Sequence, residues 1–154
     1  MNIVYEEIKP SAALQPYVDS YWLQSFSETN GQLSPVQRCV PFGMTELIVH
    51  LDDNHCEVCM NGEWSELPQI FLAGIYRDPV LWRSPGNTRK FGIRLKPETF
   101  HMLFKAPASK LFSDYTSFDN LEVKDALPLA EKLIRAGSLQ EAAVMAEEYL
   151  MQRL

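Results

Sequence analysis

The feature that most constrains this chain is a change of hydrophobic period near residue 97. Before it, short apolar or alternating runs lie between turn signals at near-regular spacing, which is how an all-β sandwich or barrel reads. These runs predict strands over Ile3–Ile8, Tyr17–Phe26, Val36–Val40, Thr45–Leu51, Cys56–Met60, Ile70–Tyr76, Val80–Arg83 and Arg89–Lys96. Asp52-Asp53-Asn54, Asn61-Gly62 and Ser84-Pro85-Gly86-Asn87 supply the turns between them, Asn-Gly being the strongest short hairpin signal. The polar stretch from Ser27 to Pro35 reads as a loop.

After residue 97 the period is helical. Pro97 suits a first helical position, with Phe100, Leu103 and Phe104 following on one face. A second helix is expected within Asn120–Ala136, with a stripe of Leu127, Ala130 and Ile134, Pro128 in its first turn and Gly137 as its stop. Ser138 and Glu141 form a capping box that opens a third helix. Along it Leu139, Ala142, Ala143, Ala146, Tyr149, Leu150 and Leu154 recur at helical spacing. The expected fold is therefore α+β and mainly β: an antiparallel β-barrel over 1–97, with about three helices over 98–154 packed on it as one domain.

A chain of 154 residues fits one domain and can bury a core without disulfides or metal. Cys39, Cys56 and Cys59 are too few and too odd in number for a disulfide framework, and they point to a reducing compartment. The net charge of −6 and a pI near 5.0 have the wrong sign for a self-sufficient DNA binder. No apolar run reaches membrane-helix length, and the opening residues lack the basic and apolar regions of a signal peptide. The expected location is the cytoplasm, with no membrane contact.

The candidate chemistry is sparse. His55, Cys56 and Cys59 are ligand types for zinc, but on a strand Cys56 and Cys59 point to opposite faces, and no second ligand pair stands at a suitable spacing. His50 and His101 stand alone, and a lone histidine on an apolar strand reads as a satisfied core or edge residue. Nucleophile elbow, phosphate loop and dinucleotide fingerprint are all missing. No catalytic residue, metal or cofactor is expected.

Charge and aromatics are more informative. Arg77, Arg83, Arg89, Lys90, Arg94 and Lys96 place six of the fourteen basic residues in twenty positions, opposed only by Asp78. A solvated exterior explains this run most simply, and an inward Arg gripping a carboxylate or phosphate is the functional alternative. Aromatics crowd the same half, and a small barrel has room for one small ligand. The candidate ligand-contacting residues are Trp22, Arg38, Phe42, Glu46, Tyr76, Trp82 and Arg94, an apolar set with few polar groups. Arg38 and Glu46 flank the bend Pro41-Phe42-Gly43 and are expected to pair across a hairpin in a structural role. One Arg with one Glu favours a small polar or zwitterionic molecule. On the third helix, Leu139, Ala143, Ala146, Tyr149 and Leu150 are the candidate dimerisation residues, because Ala lets a second helix approach closely. The competing expectation is that this stripe packs on the preceding helix of its own subunit.

Several segments in order resemble one family. Pro16-Tyr17-Val18 with Tyr21-Trp22, Arg38 to Gly43 leading into Glu46-Leu47-Ile48, Leu72-Ala73-Gly74, Phe91 to Pro97 and Ala106-Pro107-Ala108 are similar to the N-terminal regulatory domain of AraC-family transcription factors. More narrowly, they resemble the subgroup in which a domain of unknown function precedes the AraC-type DNA-binding part. The sequence departs at Phe42, where Asp is common, and at Glu98-Thr99, where similar sequences carry a Gly pair.

The resemblance implies a cupin-like barrel followed by helices, serving as the ligand-sensing and dimerisation half of a regulator. It implies an unknown small-molecule effector, a homodimer, and DNA contact only through a helix-turn-helix domain not present in this chain. Ser138 to Ala143 faintly resembles a first DNA-binding helix, but recognition needs a second helix in the groove and none follows. The chain is expected to be an excised N-terminal domain or a natural short relative. The alternative is a metal-independent cupin-type enzyme or small-molecule carrier. A third reading, a constitutive dimerisation module, requires an interior packed solid.

Overall fold

The structure is a computed structural model, and it describes residues 1–28, 30–39, 43–73, 79–105, 115–117 and 126–154. Strand β1 (Asn2–Ile8) leads through a 3₁₀ turn at Ala12–Leu14 into β2 (Val18–Ser27). Then come β3 (Gln37–Cys39), β4 (Thr45–His50), β5 (Glu57–Met60), β6 (Glu63–Glu66), β7 (Ile70–Ala73), β8 (Val80–Arg83) and β9 (Thr88–Leu95). Helix α1 (Thr99–Phe104), strand β10 (Tyr115–Ser117), α2 (Ala126–Ile134) and α3 (Leu139–Met151) complete the order.

The strands form two antiparallel sheets. A six-stranded sheet has the order β1-β2-β9-β4-β7-β10, and a four-stranded sheet has the order β3-β8-β5-β6. From β3 to β9 the chain crosses between them at every step but one, the β5–β6 hairpin staying within the small sheet, and this is the double-sheet winding of jelly-roll and cupin-like folds. The fold is therefore mainly β and cupin-like with C-terminal helices, but the expected continuous barrel does not form. Closure needs a staggered ladder running round the whole sheet. The strands of the smaller sheet are only three or four residues long, and no ladder joins the two sheets among the described residues. β10, from the helical half, returns to pair with β7 at the edge of the large sheet.

The large sheet is covered on both sides. On β9, Phe91, Ile93 and Leu95 belong to one core with Tyr21, Leu47, Val49 and Leu72 and with residues of all three helices. The alternate residues Lys90, Gly92 and Arg94 point the other way, as the period of two requires. On that side Trp22, Ile48, Phe71 and Ala73 pack against Val58, Val80 and Trp82 of the small sheet.

Two local features refine the sequence reading. Asn61 and Gly62 both have positive φ, 54° and 81°, giving the primed turn that joins β5 to β6. β6 was not anticipated from the sequence, because Glu63-Trp64-Ser65-Glu66 is mostly polar and exposed. In α2 the buried residues are Leu129, Ala130 and Leu133, while Leu127 and Ile134 of the expected stripe face solvent. The α2 sequence holds two overlapping apolar stripes, and packing on α3 and the large sheet selects between them.

Helix α3 begins as its cap predicts. Ser138 Oγ accepts from the Glu141 backbone N–H at 3.2 Å, and Glu141 reaches back to the Gly137 N–H at 2.7 Å. Leu139, Ala143, Ala146, Tyr149 and Leu150 are all buried within the chain's own core. The stripe packs on α2 and the large sheet of its own chain, as the competing expectation has it. Among the described residues no helix is long and apolar enough to cross a membrane.

Candidate functional site

A cavity of about 80 Å³ lies between the sheets. Ile48, Phe71 and Ala73 of the large sheet and Val58 and Val80 of the small sheet make it mostly apolar. Glu46 and Lys90 bring it two ionisable groups of opposite sign, and Cys39 and Cys56 add two sulfurs.

Strand register explains the placement. Glu46 stands opposite Arg94, Ile48 opposite Gly92, and His50 opposite Lys90, where β4 pairs with β9. Trp22 stands opposite Gly92 on the other flank of β9. Because Gly92 has no side chain, the Trp22 indole can lie across the strand, and its Nε1 donates to Glu46 Oε2 at 2.5 Å.

Lys90 is 7% exposed, an uncommon state for lysine, which is almost never fully buried unless paired. Its Nζ lies 3.7 Å from the Trp82 ring centroid and 3.6 Å from Cys56 Sγ. Among the described residues no carboxylate lies within ion-pair distance of it. Burial holds its ammonium below the ordinary lysine value, against the smaller opposing pull of Cys56 and Glu46. Burial likewise pushes the Glu46 carboxyl up, although Arg94, the Trp22 hydrogen bond and Lys90 each favour its charged form.

Beside the cavity Arg94 gathers acidic and hydroxyl groups. It lies 3.6 Å from Glu7, 3.7 Å from Asp19 and 3.7 Å from Glu46, and it donates at 3.4 Å to Ser20 Oγ and to Tyr5 Oη. His50 has both ring nitrogens engaged. Nδ1 faces the Pro68 carbonyl at 3.0 Å, and Nε2 accepts from the Cys56 backbone N–H at 3.1 Å. This pattern fixes a neutral ring with the proton on Nδ1, stacked 4.6 Å from the ring of His55. Burial, His55 and Lys90 pull its pKa down to about 3.

The sequence-selected residues meet different fates. Glu46 and Trp82 line the cavity. Trp22 is buried in the same inter-sheet cluster, and Arg94 stands next to Glu46 at its edge. Arg38 is exposed on β3 opposite Leu81, so the expected Arg38–Glu46 pair is replaced by Arg94–Glu46. The correction has a topological cause. Glu46 belongs to the large sheet and Arg38 to the small one, so no hairpin joins them. Phe42 and Tyr76 lie outside the described residues. Lys90 and Cys56 were missed as cavity residues, and for Lys90 the signal was its shared face with Arg94.

No metal-holding group of His, Cys, Asp or Glu occurs among the described residues. The arrangement can bind a small molecule by apolar contact and offer one amine and one carboxyl to its polar ends.

No curated protein matches the chain. A solved structure that does is the cupin_2 domain of an XRE-family transcriptional regulator from Enterobacter cloacae, 20% identical, with a TM-score of 0.39, covering 62% of this chain and 97% of that one. A family profile, the domain of unknown function DUF6597, matches residues 6–117. That span runs from the end of β1 through β10 and holds every cavity residue, and the chain belongs to the DUF6597 family.

Proposed function

We propose that this domain is the ligand-sensing part of an AraC-type transcriptional regulator, working in the cytoplasm. It holds a small-molecule effector between its two sheets and catalyses nothing itself. The observation that carries the reading is the inter-sheet cavity, in which Glu46 and Lys90 are the ionisable groups of a mostly apolar lining. Ligand sites have this composition, a largely apolar wall with a few placed polar groups. The sequence resemblance to the AraC regulatory domain supports the regulatory role. DNA contact then falls to a helix-turn-helix part outside this chain, and a homodimer forms through a surface other than the buried α3 stripe. Effector binding acts by shifting the population between arrangements of the two parts.

The test is thermal unfolding of this chain with a panel of small carboxylates, amines, carbonyl compounds and zwitterions. An effector at a hundredfold its Kd adds about 2.7 kcal/mol. The cavity-filling variant Ala73→Leu removes that gain if the site is the cavity. A panel that stabilises wild type and Ala73→Leu equally, or neither, overturns the reading. The second reading, a small-molecule enzyme or carrier, is favoured by the buried amine of Lys90, and turnover of a stabilising compound separates it from the first.

A further inference from the structure

We propose that Lys90 captures a short-chain aldehyde or ketone as an imine inside the inter-sheet cavity. The inference rests on the reading of that cavity as the ligand site and gives its ligand a chemical class. Three features of the geometry carry it. Lys90 lines the cavity, and its Nζ lies 3.7 Å from the ring centroid of Trp82 and 3.6 Å from Sγ of Cys56, two further lining residues. No carboxylate among the described residues lies within ion-pair distance of it, and the ring faces of Trp82 at 3.7 Å and of Trp22 and Phe26 at 6.0 Å support its charged form without matching the water it has lost. Apolar residues make up most of the lining, and desolvation in an apolar pocket is what activates a lysine towards carbonyl groups. The lowered pKa of the group, caused by burial, agrees with this.

The reaction balances without any co-reactant. The Nζ lone pair adds to the carbonyl carbon and gives a carbinolamine. The carbon–oxygen bond then breaks, the carbonyl oxygen leaves as water with the two protons that Nζ carried, and a carbon–nitrogen double bond remains. Nothing is oxidised or reduced, and hydrolysis returns both partners. Size limits the ligand: a cavity of about 80 Å³ is roughly half the 150 Å³ that accepts benzene, so about three to five non-hydrogen atoms fit. Cys56, whose sulfur lies 3.6 Å from Nζ, also lines the cavity and is a second nucleophile type for such an electrophile to meet.

The experiment treats the intact chain with butanal and cyanoborohydride near neutral pH and maps the reduced adduct by mass spectrometry. The expected result is preferential butylation of Lys90 over the exposed Lys9, Lys105 and Lys132, because burial leaves more of it as free amine. Lys90→Arg, checked for folding by circular dichroism, loses that adduct and keeps the surface background. Parallel thermal unfolding uses butanol and butyrate, which fill the cavity without forming an imine. Surface-only adducts, with stabilisation by butanol or butyrate that Ala73→Leu removes, overturn the imine and leave the sensing site standing. Surface-only adducts with no stabilisation by any of the three overturn both.

Discussion

The indole of Trp22 occupies the place where Gly92 would carry a side chain. A β-carbon built on Gly92 would sit 2.0 Å from the ring atom Cε2 and 2.4 Å from Nε1. The same ring position sends Nε1 to Glu46, so one missing methyl group on β9 sets the polar wall of the cavity.

Gly92→Ala therefore displaces the indole and breaks its hydrogen bond to Glu46. Forcing volume into a close-packed site costs about 1–3 kcal/mol. Urea unfolding should show that loss, together with a shift in tryptophan emission. An unchanged midpoint would remove Gly92 from this role.

His50 makes stability depend on pH in a stated direction. Its pKa falls from 6.5 unfolded to about 3 folded, so the unfolded chain binds the extra proton. The stability this neutral ring contributes is complete above pH 6.5 and drains away as pH falls towards 3, by about 1.4 kcal/mol per unit. His50→Gln should be less stable near neutrality and should lose that slope. Unfolding curves at a series of pH values check this, and a slope equal to that of wild type would contradict it.

Glu147 latches α3 to the sheet. Its Oε2 accepts from Tyr21 Oη at 2.9 Å and from the Ser11 backbone N–H at 3.0 Å. Hydrogen bonds to a charged acceptor are worth about 1.5–3 kcal/mol, so Glu147→Ala should cost an amount of that order. A double-mutant cycle with Tyr21→Phe should return a coupling of at least about 0.5 kcal/mol.

Arg38 and Arg94 should respond in opposite ways. Arg38→Ala removes an exposed side chain and should change stability by less than about 0.5 kcal/mol. Arg94→Met strips Glu46, Asp19 and Glu7 of their shared cation and should cost about 1–3 kcal/mol. Equal effects in denaturant unfolding would contradict the assignment of Arg94 as the partner of Glu46.

Leu150→Asp should unfold the domain without reporting on subunit contact. Leu150 has no exposed surface, and an unpaired charge in the core costs about 4 kcal/mol or more. Circular dichroism should show the loss at any protein concentration. A folded Leu150→Asp chain with altered sedimentation would restore the stripe as an interface.

Most strands and the capped third helix were legible because their signals are local. Alternation, Asn61-Gly62 and Ser138 with Glu141 act within a few residues, and the structure places β5, the primed turn and α3 where they point. The candidate site was harder for a physical reason. Alternation on β9 separates Lys90 and Arg94 from Phe91 and Ile93, but it does not say which set is inside when helices cover one face and a sheet the other. A basic residue is then assigned to solvent by its cost of burial, which hid Lys90. The pairing of Glu46 with Arg94 was out of reach for another reason. It joins β4 to β9 across 48 positions of chain, whereas bends such as Pro41-Phe42-Gly43 suggest only neighbours.

Tyr21 and Trp22 are consecutive on β2, and they live in different rooms. The Tyr21 hydroxyl holds Glu147 on the helical side, while the Trp22 ring lies among the residues between the sheets. The partition between the two compartments is thus a single backbone thick. For anything lodged beside Glu46, the fastening of the last helix is one peptide unit away from the indole it touches through that carboxyl, with no relay of side chains in between.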